Sequence, residues 1–369
     1  MDHATSLPFA APLLSHFLAG CQSEAALLQT RPMDFEQGPI RPPSEAHSLL
    51  LRVSRNCPWN RCAFCPVYKG ARFSLRTVEE VLADLDAMKA TFGDEPRTVF
   101  LQDANPLLTR SDDLIRIVEA VRERFPHVRR ITAYARSHTL ARRSPAELRR
   151  IREAGLDRLH VGLESGSDAV LRLVQKGCTR ADHIEGGRRA REAGFELSEY
   201  VMPGLGGRAL SSRHAEDTAS AIAAIGPDFV RLRTTAVSPG TELSEMARRG
   251  DWSPLSEIEL VAEIRAFLSG LRGVRTRLES DHMLNLLMEL CGDLPDEHEK
   301  LLGICDRFFA LPRREQANFV LARRLGWAER LADMERPAVR KELDRVAAQL
   351  AAEGLDIMAA ADELRGRLV

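Results

Sequence analysis

Several things are scarce in this 369-residue chain, and each scarcity excludes something. No run of about 18 apolar residues occurs, so no membrane-spanning helix is expected. Leu7 to Leu18 is apolar, but the first basic residue is Arg31. The positive start of a secretory leader is therefore missing, and a cytoplasmic protein is expected. The formal net charge is only -1, which offers no general electrostatic grip on nucleic acid. Lysine occurs five times, at Lys69, Lys89, Lys176, Lys300 and Lys341, against 47 arginines, so each lysine stands out. The seven cysteines are an odd number in a long chain, which fits a reducing compartment better than a disulfide framework.

What is present is globular: 44% hydrophobic and 28% charged residues, enough for one large domain or two. Residues 1–47 hold two short helical patterns and a proline-rich stretch, and read as an N-terminal extension. From Ser48 short apolar runs alternate with amphipathic segments. Strands are expected at Ser48–Ser54, Arg97–Gln102, Arg130–Ala135, Arg158–Leu163, Glu196–Met202 and Asp228–Val237, each separated from the next by helical sequence. Ser144 and Ser167 are expected to cap helices. This α/β rhythm predicts parallel pairing through helical crossovers, in a barrel or a doubly wound sheet, with the chemistry at the C-terminal strand ends. After Thr241 the pattern predicts helix only, including His282–Leu290 and Val339–Leu368. The expected division is 1–47, a core at 48–243 and a helical region at 244–369.

Three of the seven cysteines, Cys57, Cys62 and Cys65, fall within nine positions just after the first strand. Thiolates so placed converge on a soft metal centre and leave a coordination position open. An iron–sulfur cluster, or a zinc ion completed by His160 or Cys178, both answer to that spacing. Cys21, Cys178, Cys291 and Cys305 are too scattered for a second cluster.

The cluster Cys57-Pro-Trp-Asn-Arg-Cys62-Ala-Phe64-Cys65 resembles the radical S-adenosylmethionine (SAM) superfamily. The segment Val161-Gly162-Leu163-Glu164-Ser165-Gly166-Ser167 resembles the fourth-strand motif of its coproporphyrinogen oxidases and methylthiotransferases. The four-then-two spacing departs from the commoner three-then-two, and is similar to that of the Elongator, methylthiotransferase and nitrogenase-cofactor group. The resemblance implies a partial (β/α)6 TIM-like barrel with a helical C-terminal region. It implies a 4Fe-4S cluster on Cys57, Cys62 and Cys65, with S-adenosyl-L-methionine bound to the fourth iron. Reductive cleavage of SAM would then give a 5′-deoxyadenosyl radical that abstracts hydrogen from substrate.

On the same footing, Phe64, Asp103, Arg136, Glu164, Lys176, Glu199, Gly204 and Val237 are expected to bind the cofactor. Asp103 would meet the SAM amine, Arg136 and Lys176 a carboxylate, and Glu164 the ribose hydroxyls. Rim salt bridges and turn caps are the plainer readings of the same residues. Arg231 and Arg233 share a strand face, with a substrate carboxylate or Glu164 and Glu199 as their partners. His138 reads as a loop histidine, and His282 as an acid–base group or a helix-start residue. The expected function is a radical SAM enzyme acting on a small molecule, with a flavodoxin or ferredoxin as reductant. The other readings are RNA modification, for which no basic surface is evident, and a non-catalytic metal-stapled barrel binding a partner or porphyrin. Methyl transfer through cobalamin is disfavoured, because the short N-terminal segment leaves no room for its domain.

Overall fold

A strand flanked by helices on both sides of the sequence pairs parallel to its neighbours, and strand order decides whether the sheet curls or stays open. In a computed structural model describing residues 35–367, the six expected strands are β1 (Leu49–Arg52), β4 (Thr98–Gln102), β5 (Arg130–Ala135), β6 (Arg158–Glu164), β7 (Glu196–Val201) and β8 (Phe229–Leu232). They pair in sequential order and all parallel. A doubly wound sheet needs a reversal of strand order; none occurs here, so the sheet is a partial TIM-like barrel. A small antiparallel ribbon of β2 (Ser54–Arg55) and β3 (Ser74–Leu75) stands beside it.

The crossovers are α1 (Val78–Phe92), α2 (Ser111–Arg124), α3 (Ser137–Leu140), α4 (Pro145–Glu153), α5 (Asp168–Leu173), α6 (Arg180–Glu192) and α7 (Gly207–Ile225). Ser144 caps α4 in a reciprocal box with Glu147, as expected. Ser167 does not cap α5: its hydroxyl is buried without a partner, and its N–H donates to Ser165 Oγ instead.

Alternation sorts the strand residues into two faces. Val99, Leu101, Ile131, Leu159, Val161 and Leu197 are fully buried on the face that packs against the helices. The lumenal face is aromatic and polar. Phe100 and Tyr134 meet edge to face with ring centres 4.9 Å apart, and His160 lies 6.2 Å from Tyr134 and 5.8 Å from Tyr200.

Two expected boundaries are corrected. Residues 35–47 do not form a separate extension, since Asp34–Cys305 is one compact unit. Glu45 is completely buried, accepts from Ser48 Oγ at 2.5 Å and lies 3.2 Å from His160 Nε2 and 3.4 Å from Arg130. Gln102 clasps Gly38 through both its N–H and its carbonyl. The other correction is at 243/244. After α8 (Glu242–Arg249) and α9 (Glu257–Ser269) the sheet resumes with β9 (Thr276–Glu279), parallel to β8, and β10 (Gly292–Leu294), antiparallel to β9.

The expected helix at His282–Leu290 is a chain of turns. Here Asn285 and Ser280 bond to main chain, and such bonds compete with a helix. From Asp306 the chain forms a second compact unit, with α10 (His298–Ala310) running into it, then α11 (Arg313–Arg324), α12 (Pro337–Ala352) and α13 (Ile357–Arg367). The single helix expected at Val339–Leu368 is two, separated at Gly354, whose φ is +69°. The apolar run Leu7–Leu18 and Cys21 lie outside the described residues.

Candidate functional site

The cysteine loop leaves β2 at the C-terminal end of β1. It turns through Asn56 (φ +67°) and Asn60 (φ +49°), left-handed positions that asparagine tolerates better than most residues. Asp103, wholly buried beyond β4, holds it in place. One carboxylate oxygen accepts from Arg52 Nε and from the Asn56 N–H, both at 2.8 Å. The other accepts from the Tyr68 hydroxyl at 3.2 Å. Asn60 Nδ2 donates to the Tyr68 carbonyl, and Lys69 Nζ donates to the carbonyls of Asn60 and Cys62, which closes the loop on itself. Both oxygens of Asp103 are engaged, and it positions the loop.

Cys57, Cys62 and Cys65 are half-buried thiols on this loop, none in a disulfide. Burial pushes the Cys62 thiol up, Lys176 pulls it down, and Cys65 and Cys57 push it up again. The three thiols and the lysine thus share one electrostatic neighbourhood. Among the described residues no three His, Cys, Asp or Glu side chains converge on one point, as a single ion requires. Three thiols on one loop are soft donors of the kind an iron–sulfur cluster takes, each on a different iron.

The other expected residues gather unevenly around this loop. Glu164 has φ +62° at a register shift in β6 and accepts from Lys176 Nζ at 3.0 Å. The rim salt bridge is thus what the structure contains. Gly162 makes room for it, since a Cβ there would stand 2.2 Å from Glu164 Oε1. Burial disfavours the Lys176 ammonium, but Glu164, then Cys62 and Cys178, hold it charged. Its Nζ lies 5.9 Å from the centre of the Phe64 ring. Arg136 sits 5.6 Å from the Trp59 ring and donates to the Lys176 carbonyl. Trp59 in turn packs on Gly177 and donates from Nε1 to the Gln175 carbonyl at 2.7 Å. Phe64 and Val237 both pack on the apolar cluster that includes Ala63, Met202, Leu205 and Trp252.

Glu199 departs from expectation. Tyr200 faces the lumen, so alternation turns Glu199 to the helix side, in register with Val161 and Val230. Burial, with Glu164 adding to it, raises its pKa well above the ordinary carboxylate value. Neither oxygen has a full hydrogen bond; the Leu163 N–H is near enough only to ease its charge.

Gly204 is tied down by a network that the sequence pattern did not disclose. Its N–H donates to Glu263 Oε1 at 2.6 Å. His214 links Ser165 Oγ (2.8 Å) to the Met202 carbonyl (3.0 Å), and Thr218 Oγ1 accepts from the Gly166 N–H (2.9 Å). The turns after β6 and β7 are thus fixed by α7 and α9. No local motif marks residues some 50 positions apart as partners.

Neither alternative fourth ligand stands free. His160 is committed to Glu45 on the barrel floor, and Cys178 Sγ lies 3.2 Å from His183 Nε2, whose Nδ1 is 2.7 Å from Ser137 Oγ. Arg231 pairs with Asp281 at 2.5 Å, not with Glu164 or Glu199. His138 lines a cleft of about 590 Å³ on the helical exterior, with Arg142 and Arg150.

Residues 51–219 match the model of the radical SAM superfamily, a span that holds all three cysteines. Over 122 residues the chain is 27% identical to the tRNA uridine(34) acetyltransferase of Methanocaldococcus infernus, covering 33% of this chain and 23% of that protein. Over 278 residues it is 29% identical to the tRNA-2-methylthio-N(6)-dimethylallyladenosine synthase of Chlorobium phaeobacteroides, covering 70% and 57%. A solved structure of Methanocaldococcus infernus Elp3 is similar with a TM-score of 0.44 at 17% identity, over 72% of this chain and 64% of that one. The chain spans about a quarter of the length of the first curated relatives it matches. The matched span, with the cysteine loop at the end of β1 inside it, is similar to the radical SAM superfamily.

Proposed function

We propose that the protein cleaves S-adenosylmethionine reductively and abstracts hydrogen from a small-molecule substrate. The cofactors of the superfamily are a 4Fe-4S cluster and SAM. One observation carries the reading: Asp103 binds the cysteine loop to the ends of β1 and β4, at the barrel end where this architecture keeps its chemistry. Cys57, Cys62 and Cys65 would hold the cluster. When bound, the cluster would supply the one electron that splits SAM into methionine and a 5′-deoxyadenosyl radical.

The chain's own residues do the rest. Lys176 sets a positive charge near Cys62 and lowers the cost of ionising that thiol. Arg136, held over Trp59, is a guanidinium for a cofactor carboxylate. Glu164 presents its second oxygen to hydroxyl donors. The Gly204 turn, fixed through Glu263, offers close backbone approach, and Phe64 and Val237 join the apolar wall that excludes water. The external reductant is a flavodoxin or ferredoxin, and the compartment is the cytoplasm, where thiols stay reduced.

Anaerobic reconstitution with iron and sulfide, followed by SAM and dithionite, tests this. Formation of 5′-deoxyadenosine by the wild type, and none by the Cys57→Ala, Cys62→Ala, Cys65→Ala variant, is the expected result. Uptake of zinc and no iron would overturn it and leave a metal-stapled binding protein. RNA modification is the second reading, favoured by relatives whose names concern tRNA. The net charge of -1 weighs against it. A gel-shift titration with bulk tRNA at low and moderate salt separates the two, because retention of tRNA at moderate salt is expected only of the second.

A further inference from the structure

Across the lumen from the cysteine loop lies a group of donors that the cofactor reading does not use. Alternation puts Arg231 and Arg233 on the lumenal face of the β8 segment. Arg231 is neutralised by Asp281. Arg233, the next lumenal residue toward the barrel mouth, is exposed and has no hydrogen bond or ion pair on its side chain among the described residues. Its backbone is nevertheless fixed: its N–H donates to the Val201 carbonyl at 2.8 Å, and Asn285 holds Thr234 through two bonds of 2.9 Å.

Tyr200, paired in register with Arg231, has a buried hydroxyl without a partner. His282 accepts from the Leu284 N–H at Nδ1, which leaves Nε2–H as a donor in the neutral ring. The ring is neutral near pH 7, since burial and then Arg233 depress its pKa to about 4. Asp281 pairs with Arg231 and Asn285 bonds to Thr234, so the turn that carries His282 lies along the end of β8, beside Tyr200. Tyr200 and His282 each have a hydrogen to donate there.

A charge count points the same way. Setting aside Arg61 on the cysteine loop, the ends of β5, β6 and β8 carry Arg136, Lys176, Arg231 and Arg233, against Glu164 and Asp281, which are paired with Lys176 and Arg231. Two guanidiniums remain, and SAM brings one carboxylate. Arg136, on the cysteine loop's Trp59, is placed for that one. Arg233 is left over.

The geometry points to a substrate-carboxylate subsite at the β7–β8 side of the mouth, with Arg233 supplying the charge and Tyr200 and His282 supplying hydrogen bonds. The substrate is then a small organic acid. This deepens the function proposed above and rests on it for the word substrate, but the subsite itself is testable without turnover.

The test uses the reconstituted protein saturated with SAM, without reductant, titrated by calorimetry with butyrate, butyramide or inorganic phosphate. Wild type is expected to bind butyrate in roughly the millimolar range, as small fragments do, and butyramide at least tenfold more weakly. Arg233→Gln should lose tenfold or more of butyrate affinity. Arg233→Lys should recover part of it, Tyr200→Phe should lose severalfold, and Arg150→Gln, on the helical exterior, should leave it unchanged. Equal binding of acid and amide, no binding of butyrate to the wild type, or unchanged butyrate affinity in Arg233→Gln each overturns the assignment. Preference for inorganic phosphate also overturns it, in favour of a phosphorylated substrate. If butyrate binds as stated while 5′-deoxyadenosine never forms, the subsite stands and the radical function fails.

Discussion

A buried carboxylate is stable only where donors surround it, and Asp103 and Glu199 are opposite outcomes of that rule. Asp103 joins Arg52, Asn56 and Tyr68, so Asp103→Ala leaves the Asn56 N–H and the Tyr68 hydroxyl without their acceptor and takes from the largely buried Arg52 one of its two carboxylates, Glu36 being the other. A loss of about 3 kcal/mol in urea unfolding is expected, with less iron incorporated per chain at matched reconstitution. Unchanged iron loading would show that the loop does not depend on this anchor. Glu199 has a raised pKa, so its free counterpart ionises above pH 4.5 while the folded form holds its proton. Its cost therefore grows as pH rises above that value. Glu199→Gln should stabilise by roughly 1 kcal/mol at pH 7.5 and by little at pH 5; an equal effect at both would mean that the carboxyl is charged in the fold. Gly177, with φ +73° and a Cβ position 2.2 Å from the Trp59 ring, admits no side chain. Gly177→Ala should cost about 1–3 kcal/mol and shift tryptophan emission, and emission identical to wild type would rule out this packing.

Among the elements, the segment from Ser280 to Cys291 decides how the barrel mouth is walled. The strand before it, Thr-Arg-Leu-Glu at β9, is short and carries charge on its lumenal side, so it shows no apolar run to read. Apolar residues at Leu284, Leu286, Leu287 and Leu290 mimic a helical stripe, yet each is buried in turns held by long-range bonds. Asn285 supplies three of these, to the Leu232 carbonyl and to the N–H and hydroxyl of Thr234. Asn285→Ala leaves buried main-chain groups unpaired and should cost about 2–4 kcal/mol. Limited proteolysis should then cut within 280–291 well before the rest of the chain. An undisturbed cleavage pattern would mean that the apolar contacts alone hold the segment.

For the whole molecule, acid is the expected weakness. Burial holds His160, His183 and His214 below the ordinary histidine value, His183 at about 3. Their unfolded counterparts take up protons near pH 6.5, so protonation favours the unfolded chain. The stability these rings lend is whole above pH 6.5 and is lost as pH falls from there toward their folded values. The slope is up to about 1.4 kcal/mol per pH unit for each ring. The urea midpoint should fall steadily between pH 7 and pH 4.5, and His183→Gln should flatten the curve. A midpoint constant over that range would mean that these rings are protonated in the fold.

The alternation of apolar runs and amphipathic helices, the cysteine spacing and the Ser144 cap were legible in the chain because each is local. Periodicity and capping need only residues a few positions apart, and three thiols within nine positions are neighbours in any compact loop. The tertiary structure alone decided that the sheet is singly wound, that β9 and β10 extend it, and that Glu45 belongs to the barrel floor. It also decided the partners: Asp103 with Arg52 and Asn56, Glu164 with Lys176, Arg231 with Asp281, Gly204 with Glu263. Ion pairs and hydrogen bonds act over a few ångströms between segments 12 to 59 residues apart. Only the packed chain brings those segments together, and a charged side chain looks the same in sequence whether it waits for a ligand or already holds a neighbour.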